Sequence, residues 1–361
     1  DEESMMKIRI VLADTDEKYI DHFIRAFKIY YFNEVDIVTF SDSTALKKYI
    51  SSRAYDILLS VASLLPKEAE EKSMILTSEM GIKEMNGRPA ICKYQKVENL
   101  YKGILDTIAE QKSGITYSYE TSKESPVIAF TSAAGGVGKT TAALVYTRQL
   151  VKKGFQVMYL SLESFSNIDY FLNAEGSSNF SNVLFAVKCG KGNLQMKIES
   201  SLKQTYGGVY FFSKPMNPNE IDELDQNEWN EFLDAVRAMG KFHCIVIDLP
   251  CANEDTAKKI MPLSDRVLFI TDGSDTTTEK TQTLMTCISK YDEVNGSDLS
   301  TKVSVIQNKC EGPRREIGLP ILAELPYVKE TRMEKLIMDT LVIAENASLL
   351  SIYQPGGQEY V

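Results

Sequence analysis

The chain has 361 residues, a hydrophobic fraction of 43% and a formal net charge of −10. These values predict two or three folded domains and exclude a wholly disordered chain. The acidic balance disfavours tight non-specific binding to nucleic acid, and no apolar run approaches the ~18 residues of a membrane span. The six cysteines lack zinc-binding spacing, so we interpret them as thiols in a reducing cytosol.

The first region, residues 5–110, alternates short apolar runs with amphipathic segments. Its predicted elements are strands at residues 8–12, 35–40, 56–60, 74–76 and 90–92, and helices at residues 19–27, 43–50 and 97–109. This alternation favours a doubly wound α/β domain with a parallel sheet. Residues 111–126 are rich in Ser, Thr, Lys and Glu and end at a proline, so we interpret them as a linker.

The second region, residues 127–361, shows the same alternation of strand and helix patterns. Its predicted elements are strands at residues 127–131, 156–160, 209–212, 242–247, 266–270 and 303–306, and helices at residues 140–152, 229–239 and 280–291. The expected fold is a second α/β domain with a mostly parallel sheet.

A glycine-rich turn between a predicted strand and a predicted helix carries the strongest chemical signal. It reads Ala133-Ala134-Gly135-Gly136-Val137-Gly138-Lys139-Thr140-Thr141. Glycines let backbone N–H groups turn toward phosphate oxygens, and the helix N-terminus adds partial positive charge. We expect residues 135–141 to bind ATP, with Lys139 on the β and γ phosphates and Thr140 holding Mg²⁺.

Two carboxylates follow predicted strands near this turn. Asp248 ends the apolar run 242–248, and a carboxylate at that end of a strand lies where open α/β sheets bind ligands. We therefore predict that Asp248 is linked to Mg²⁺. Glu163 follows the strand at residues 156–160 and either orients an attacking water or is a solvated loop residue.

Asn308 and Lys309 follow the last predicted strand of the second region. Both are candidates for recognising the nucleotide base. The run continues Cys310-Glu311, a loose echo of the Asn-Lys-x-Asp motif of GTPases, which leaves GTP as a minor alternative. The other interpretation is that Asn308 only caps a strand end.

Taken in this order, the motifs resemble the ParA/MinD branch of P-loop ATPases over residues 127–353. The branch signature is Lys-Gly-Gly-x-Gly-Lys-Thr-Thr, and residues 134–141 match all but the first position, which is Ala134. The resemblance implies ATP, Mg²⁺ and a homodimer. It also places Glu163 at the water-orienting position, Asp248 at the Walker B position, and Asn308 and Pro326 beside the adenine.

Ala134 replaces the lysine that, in this branch, reaches across the dimer to the partner's phosphates. ATP binding is expected to survive this change, whereas efficient hydrolysis is not. The substitution of Glu163 for the branch's aspartate points the same way. The resemblance therefore predicts a weak ATPase in which binding and dimerisation matter more than turnover.

The first region resembles receiver domains of response regulators. Asp14 and Asp16 match its acidic pocket, and Thr77 and Lys93 fall near its switch positions. No aspartate stands at Ser60 or Val61, where the phosphoacceptor belongs. We expect an atypical receiver that is not phosphorylated in the ordinary way; the alternative is an unrelated small α/β domain.

The combination of both regions resembles the pilus-assembly localisation proteins TadZ and CpaE. That resemblance implies a cytoplasmic protein recruited to a cell pole, where it places a tight-adherence (Flp/Tad) pilus machine. Its implied partners are components of that machine or a polar landmark protein.

Two other functions remain as alternatives. One is a partition ATPase that binds DNA, which the acidic charge and the scattered basic pairs disfavour. The other is a MinD-like ATPase that cycles on membranes. Residues 351–361 contain no Lys or Arg, so the basic amphipathic helix of such a protein is not expected there. We therefore expect neither direct DNA binding nor membrane insertion.

Overall fold

A computed structural model describes residues 7–329, except 33, 67–68, 70–71, 112–124, 173–177, 191–192, 206–207 and 311–320. The predicted linker lies outside these residues apart from positions 111, 125 and 126, and so does the chain end on which the membrane alternative was judged. The chain forms two compact units, here called the front unit (Asp1–Glu120 with Cys189–Ser201) and the P-loop unit (Thr121–Lys188 with Leu202–Val361).

The front unit is an α/β sandwich. Its elements are β1 (Ile8–Ala13), α1 (Glu17–Tyr31), β2 (Val35–Phe40), α2 (Ser43–Ser52), β3 (Ile57–Val61), β4 (Ser73–Thr77), β5 (Glu84–Met85), β6 (Arg88–Cys92), α3 (Val97–Gln111) and, much later in the chain, α7 (Leu194–Ser201).

The sheet of the front unit has the order β2-β1-β3-β4-β6-β5, and only the β5–β6 pair is antiparallel. This hairpin was not predicted. Asn86 and Gly87 form its turn with φ angles of +55° and +74°, which suits an Asn-Gly turn between antiparallel strands.

The P-loop unit contains the remaining elements. They are β7 (Val127–Thr131), α4 (Lys139–Lys152), β8 (Val157–Ser161), α5 (Ile168–Leu172), α6 (Ser181–Cys189), β9 (Lys203–Gln204), β10 (Val209–Phe211), α8 (Gln226–Ala238), β11 (Cys244–Asp248), α9 (Asp255–Ile260), β12 (Arg266–Thr271), α10 (Asp275–Asn295), α11 (Leu299–Lys302), β13 (Val303–Cys310) and β14 (Ile321–Pro326), with short 3-10 turns at Pro218–Ile221 and Met261–Leu263.

The strand order in the P-loop unit sets the place of the site. Among the described residues the sheet runs β14-β13-β12-β7-β11-β8-β10-β9, parallel except for β9–β10. Strand β7 lies between β12 and β11 with all five of its residues buried. The loop after β7 therefore lies where ligands bind in open α/β sheets.

The predicted fold class, two α/β domains with mostly parallel sheets, is confirmed. The sequence patterns did not predict helices α5 to α7, α9 or α11, which are short. Helix α7 also joins the front unit, although it follows α6 of the P-loop unit. Its Met196 is buried in the core of the front unit, among side chains of β1, α1 and α3.

Candidate nucleotide site

The loop between β7 and α4 forms a backbone cradle. Gly136 and Gly138 adopt left-handed conformations with φ angles of +75° and +95°, which only glycine adopts at little cost. Helix α4 begins at Lys139 directly after Gly138, so the N–H groups of its first turn and the positive end of its dipole lie at the cradle. This arrangement suits an anion such as a polyphosphate.

The predicted base-recognition residues contact the cradle itself. The side-chain amide of Asn308 donates to the Val137 carbonyl (2.8 Å), and the Lys309 ammonium donates to the Gly136 carbonyl (2.7 Å). A Cβ atom on Gly138 would lie 2.2 Å from Nδ2 of Asn308, so a side chain there would displace this amide. Both residues thus fix the cradle backbone from β13, and their role toward a base stays a prediction.

Asp248 lies at the end of β11, beside the cradle. Its Oδ2 accepts hydrogen bonds from the Thr140 hydroxyl (2.7 Å) and from the Tyr159 hydroxyl (3.1 Å). Burial, followed by the charge of Glu163, raises the pKa of Asp248 to about 7, against the lowering effect of the Thr140 and Tyr159 hydrogen bonds and of Lys139. The two residues predicted to hold Mg²⁺ are therefore in direct contact.

Lys139 pairs with Glu163. The Lys139 ammonium lies 3.0 Å from Oε1 of Glu163, and its side chain is 8% exposed. Burial acts to lower the pKa of Lys139, but the charge and hydrogen bond of Glu163 outweigh it, so the pKa is above its usual value. Lys139 is therefore a full positive charge at the cradle, held by the one carboxylate predicted to orient water.

The residues present fit Mg²⁺ and phosphate groups. Oδ1 of Asp248 is buried and receives no hydrogen bond from any described residue, which is costly for a carboxylate oxygen. Magnesium in nucleotide sites takes few protein oxygens besides phosphate and water. Thr140 and Asp248 would hold it, and the ion would neutralise phosphate charge. The described residues contain no cluster of three or more metal-binding His, Cys, Asp or Glu side chains.

The remaining predicted positions take several environments. Gly135 and Gly136 are exposed, whereas Val137 and Thr141 are buried. Ala134 is half-buried and packs against the hydrophobic core of the P-loop unit. Pro326 ends β14, and its side chain lies outside the described part of the structure.

Sequence reasoning missed Tyr159. In the sequence, Tyr159 is one more residue of the apolar run that forms β8. The contact that its hydroxyl makes depends on which strand lies beside β8. Residues Tyr159 and Val246 are register partners, as are Ser161 and Asp248. Since side chains two apart on a strand share a face, Tyr159 points to the same side of the sheet as Asp248. The signal therefore exists only once β8 is known to lie beside β11.

An ion pair joins two of the residues predicted for the receiver pocket of the front unit. The Lys93 ammonium lies 2.8 Å from Oδ2 of the buried Asp14, and it also lies over the rings of Tyr19 and Tyr94 at 4.8 and 5.3 Å. Asp16 caps α1 by accepting from the N–H groups at the helix start. The acidic residues predicted for this pocket are thus engaged in holding the fold.

Ser60 stands where a receiver's phosphoacceptor is expected. It is fully buried at the end of β3 and beside β1, and its hydroxyl donates to the Val61 carbonyl. Thr77, at the end of β4, accepts a hydrogen bond from the Glu79 N–H. The acceptor position of the predicted receiver therefore carries a buried hydroxyl in place of a carboxylate.

Both units are similar to known families. Residues 6–109 match the family model described as TadZ-like, receiver domain, and residues 125–301 match the model described as AAA domain. No curated protein sequence matches the chain. Among the described residues, no helix is both long and apolar enough to cross a membrane.

Solved structures match the P-loop unit. A ParA family ATPase from Chlorobium tepidum TLS is 14% identical with a TM-score of 0.50, over 63% of this chain and 95% of that chain. The MinC:MinD complex of Aquifex aeolicus is 17% identical with a TM-score of 0.48, over 65% and 99%. A putative plasmid partition protein from Borrelia burgdorferi B31, bound to AMPPNP, is 16% identical with a TM-score of 0.48, over 63% and 98%.

The ParA family structure has the fold of the P-loop unit, and the front unit matches a TadZ-like receiver. The predicted resemblance, an atypical receiver followed by a ParA/MinD-like P-loop domain, is thereby confirmed.

Proposed function

We propose that this chain, which joins a TadZ-like receiver domain to a P-loop domain of the ParA/MinD fold, binds ATP with Mg²⁺ and acts through ATP-dependent homodimerisation. The observation that carries the proposal is the meeting of Lys139, Thr140 and Asp248 at one glycine-rich cradle. These residues supply the cation, hydroxyl and carboxylate that a nucleoside triphosphate with Mg²⁺ requires.

Hydrolysis is proposed to be slow. A charge supplied across an interface is worth ~10³–10⁵ in rate where it has been measured in GTPases, and Ala134 offers none at the position where ParA/MinD proteins carry a lysine. Glu163 is proposed to orient the attacking water, but without nucleotide it is paired with Lys139. Both features favour a protein that acts through its ATP-bound state rather than through ATP turnover.

The cellular role is proposed from the front unit. Its match to a TadZ-like receiver domain supports a protein that localises a tight-adherence pilus and secretion machine, recruited from the cytoplasm to a cell pole. Its partners would be components of that machine or a polar landmark. We also retain as proposals the domain borders 5–110 and 127–361, and adenine contacts from Asn308, Lys309 and Pro326.

The test is the mass of the full chain in solution by light scattering, with and without ATP and Mg²⁺. Wild type is expected to double in mass only when both are present, because a ligand that binds the dimer better shifts the equilibrium toward it. Lys139→Ala is expected to stay monomeric and to lose ATP binding in calorimetry, since it removes a charge-assisted phosphate contact.

Wild type that stays monomeric at saturating ATP, or a Lys139→Ala variant that binds ATP as wild type does, would contradict the proposal. Lys290→Ala, an exposed lysine of helix α10, is the matched control and is expected to behave as wild type.

A further inference from the structure

The hydroxyl of Tyr159 lies at the base of the proposed magnesium site. Tyr159 is fully buried in the core of the P-loop unit, on the strand next to β11. Its hydroxyl donates to Oδ2 of Asp248 at 3.1 Å, and the Thr140 hydroxyl donates to the same oxygen at 2.7 Å. Both donors thus engage one oxygen of the carboxylate and leave the other.

The other carboxylate oxygen of Asp248, Oδ1, is the one that remains available for a further interaction. Oδ1 of Asp248 is buried and accepts no hydrogen bond from the part of the chain that the structure describes. With Oδ2 held from two directions, rotation of the carboxylate about its terminal bond is restricted, because turning it would break the Tyr159 bond. Oδ1 is therefore kept as the oxygen available to a cation or to water bound on that cation.

The core itself does not require this hydroxyl. Tyr159 packs within the same hydrophobic core as Phe130 and Val246, and a phenylalanine ring would fill nearly the same volume. Burying a phenol oxygen is unfavourable unless it is hydrogen-bonded. Among the described residues, the Tyr159 hydroxyl donates its hydrogen bond to Asp248, so the hydroxyl is explained by its effect on that carboxylate.

We propose that Tyr159 is a positioning residue for the magnesium–nucleotide complex: it orients the Asp248 carboxylate that Mg²⁺ uses, directly or through water. This rests on the proposed function, that the cradle binds nucleotide with Mg²⁺. Removing a residue that hydrogen-bonds to a metal's ligand commonly changes metal affinity by ~10–100-fold.

The experiment measures ADP affinity of the full chain by calorimetry, once with Mg²⁺ and once with EDTA. ADP is used because it is not hydrolysed, so the readout is independent of activity. In wild type the ratio of the two affinities gives the Mg²⁺ contribution. Tyr159→Phe is expected to lower this ratio about tenfold while the affinity in EDTA stays within about twofold.

Two further variants serve as controls for the Tyr159→Phe measurement. Asp248→Asn is expected to abolish most of the Mg²⁺ contribution. Tyr146→Phe removes another fully buried tyrosine hydroxyl from the same core and is expected to keep the wild-type ratio. The electron paramagnetic resonance spectrum of Mn²⁺ bound with ADP gives a second readout, expected to change in Tyr159→Phe and not in Tyr146→Phe.

Failure of the proposed function and failure of the proposed role of Tyr159 give different results. Wild type that binds no ADP under either condition would overturn the proposed function. Wild type that binds ADP, with an unchanged Mg²⁺ ratio and Mn²⁺ spectrum in Tyr159→Phe, would overturn the role of Tyr159. Equal losses with Mg²⁺ and with EDTA would also overturn it, because they would show an effect on the fold of the cradle.

Discussion

A polyphosphate bound in the cradle is expected to compete with Glu163 for Lys139. The Lys139 ammonium lies 3.0 Å from Glu163, whose side chain is 34% exposed, and both Glu163 and phosphate compete for the same cation. An arriving nucleotide must therefore break or share this ion pair. Glu163 is therefore expected to weaken nucleotide binding, apart from any role in hydrolysis.

Replacing Glu163 with Gln is expected to tighten ADP binding by up to about fivefold, because a partly exposed ion pair is worth up to about 1 kcal/mol. Calorimetry with Mg²⁺ and ADP measures this without hydrolysis, so a water-orienting role does not contribute. Glu279→Gln, an exposed change on α10, is the control. Equal or weaker ADP binding by Glu163→Gln would show that the pair does not compete with phosphate.

In the front unit, Ser60 is the residue on which the expected lack of phosphorylation depends. The acceptor position holds a buried hydroxyl instead of a carboxylate, and Lys93 is bound to Asp14. Burial acts to lower the pKa of Lys93, but the hydrogen bond and charge of Asp14 raise it above its usual value. Lys93 is therefore charged at neutral pH and already has Asp14 as its partner.

Treatment of the full chain with acetyl phosphate is expected to add no acid-labile phosphate. A receiver with an intact acceptor aspartate, treated in parallel, should become labelled. Mass spectrometry of the intact proteins and their peptides measures both. A phosphorylated peptide containing Asp14 or Asp16 would mean that a pocket carboxylate takes over the acceptor role.

At the scale of elements, helix α7 belongs to a different unit from its neighbours in sequence. Lys197 donates to Asp106 of α3 at 2.8 Å, and the Ser200 hydroxyl donates to the same carboxylate at 2.8 Å. Met196 is 4% exposed and joins the core formed by β1, α1 and α3. The front unit is therefore completed by a helix from the middle of the chain.

Met196→Ala is expected to destabilise the front unit by about 2–3 kcal/mol, because it removes a buried side chain and leaves a cavity. Hydrogen exchange measured by mass spectrometry should quicken in peptides of α3, while peptides of α4 keep their wild-type exchange. The control is Met216→Ala, whose side chain is 81% exposed. Unchanged exchange in α3 would show that α7 does not stabilise the front unit.

Elements with a strong period or an apolar core were predicted from sequence. Strands β2 and β7 match their predicted bounds, and β11 and α4 differ by one or two residues. The missed helices are short, and α7 mixes buried Met196 and Ile198 with a buried Gln195, so its apolar period is weak. Short helices gain their stability from packing, which sequence periodicity does not report.

The cradle was predictable for a different reason. Glycines at fixed positions followed by Lys139 and Thr140 encode a backbone shape, and that shape is local in sequence. The contacts from Tyr159 and from Asn308 depend on which strands lie side by side. They join residues 89 and 171 positions apart, so only the strand order reveals them.

At the scale of the whole molecule, a nucleotide can act only through a difference in affinity. In the proposed function, ATP favours the dimer to the extent that it binds the dimer better than the monomer. A slow ATPase stays in the ATP-bound state for a long time, whereas a fast ATPase leaves it quickly. The rate of hydrolysis therefore decides how long the proposed dimer persists, and position 134 is where ParA/MinD proteins place a charge that speeds it.

Ala134→Lys is expected to raise phosphate release from ATP, because it restores a cation at the position that reaches the partner's phosphates in ParA/MinD proteins. The upper bound is the ~10³–10⁵ measured for comparable cations in GTPases; the gain is smaller if the half-buried site shifts to admit the longer side chain. Phosphate release is measured with saturating ATP and Mg²⁺, and light scattering on the same samples reports the mass.

Ala133→Lys places the same charge one residue earlier and is the matched control, expected to release phosphate at the wild-type rate. If both variants accelerate equally, the gain does not depend on where the charge is placed, and the role assigned to position 134 is wrong. If wild type already turns over as fast as Ala134→Lys, another cation completes the site and Ala134 does not limit hydrolysis. A wild-type dimer that persists with ATP, and a faster Ala134→Lys variant, would together establish that this alanine prolongs the bound state.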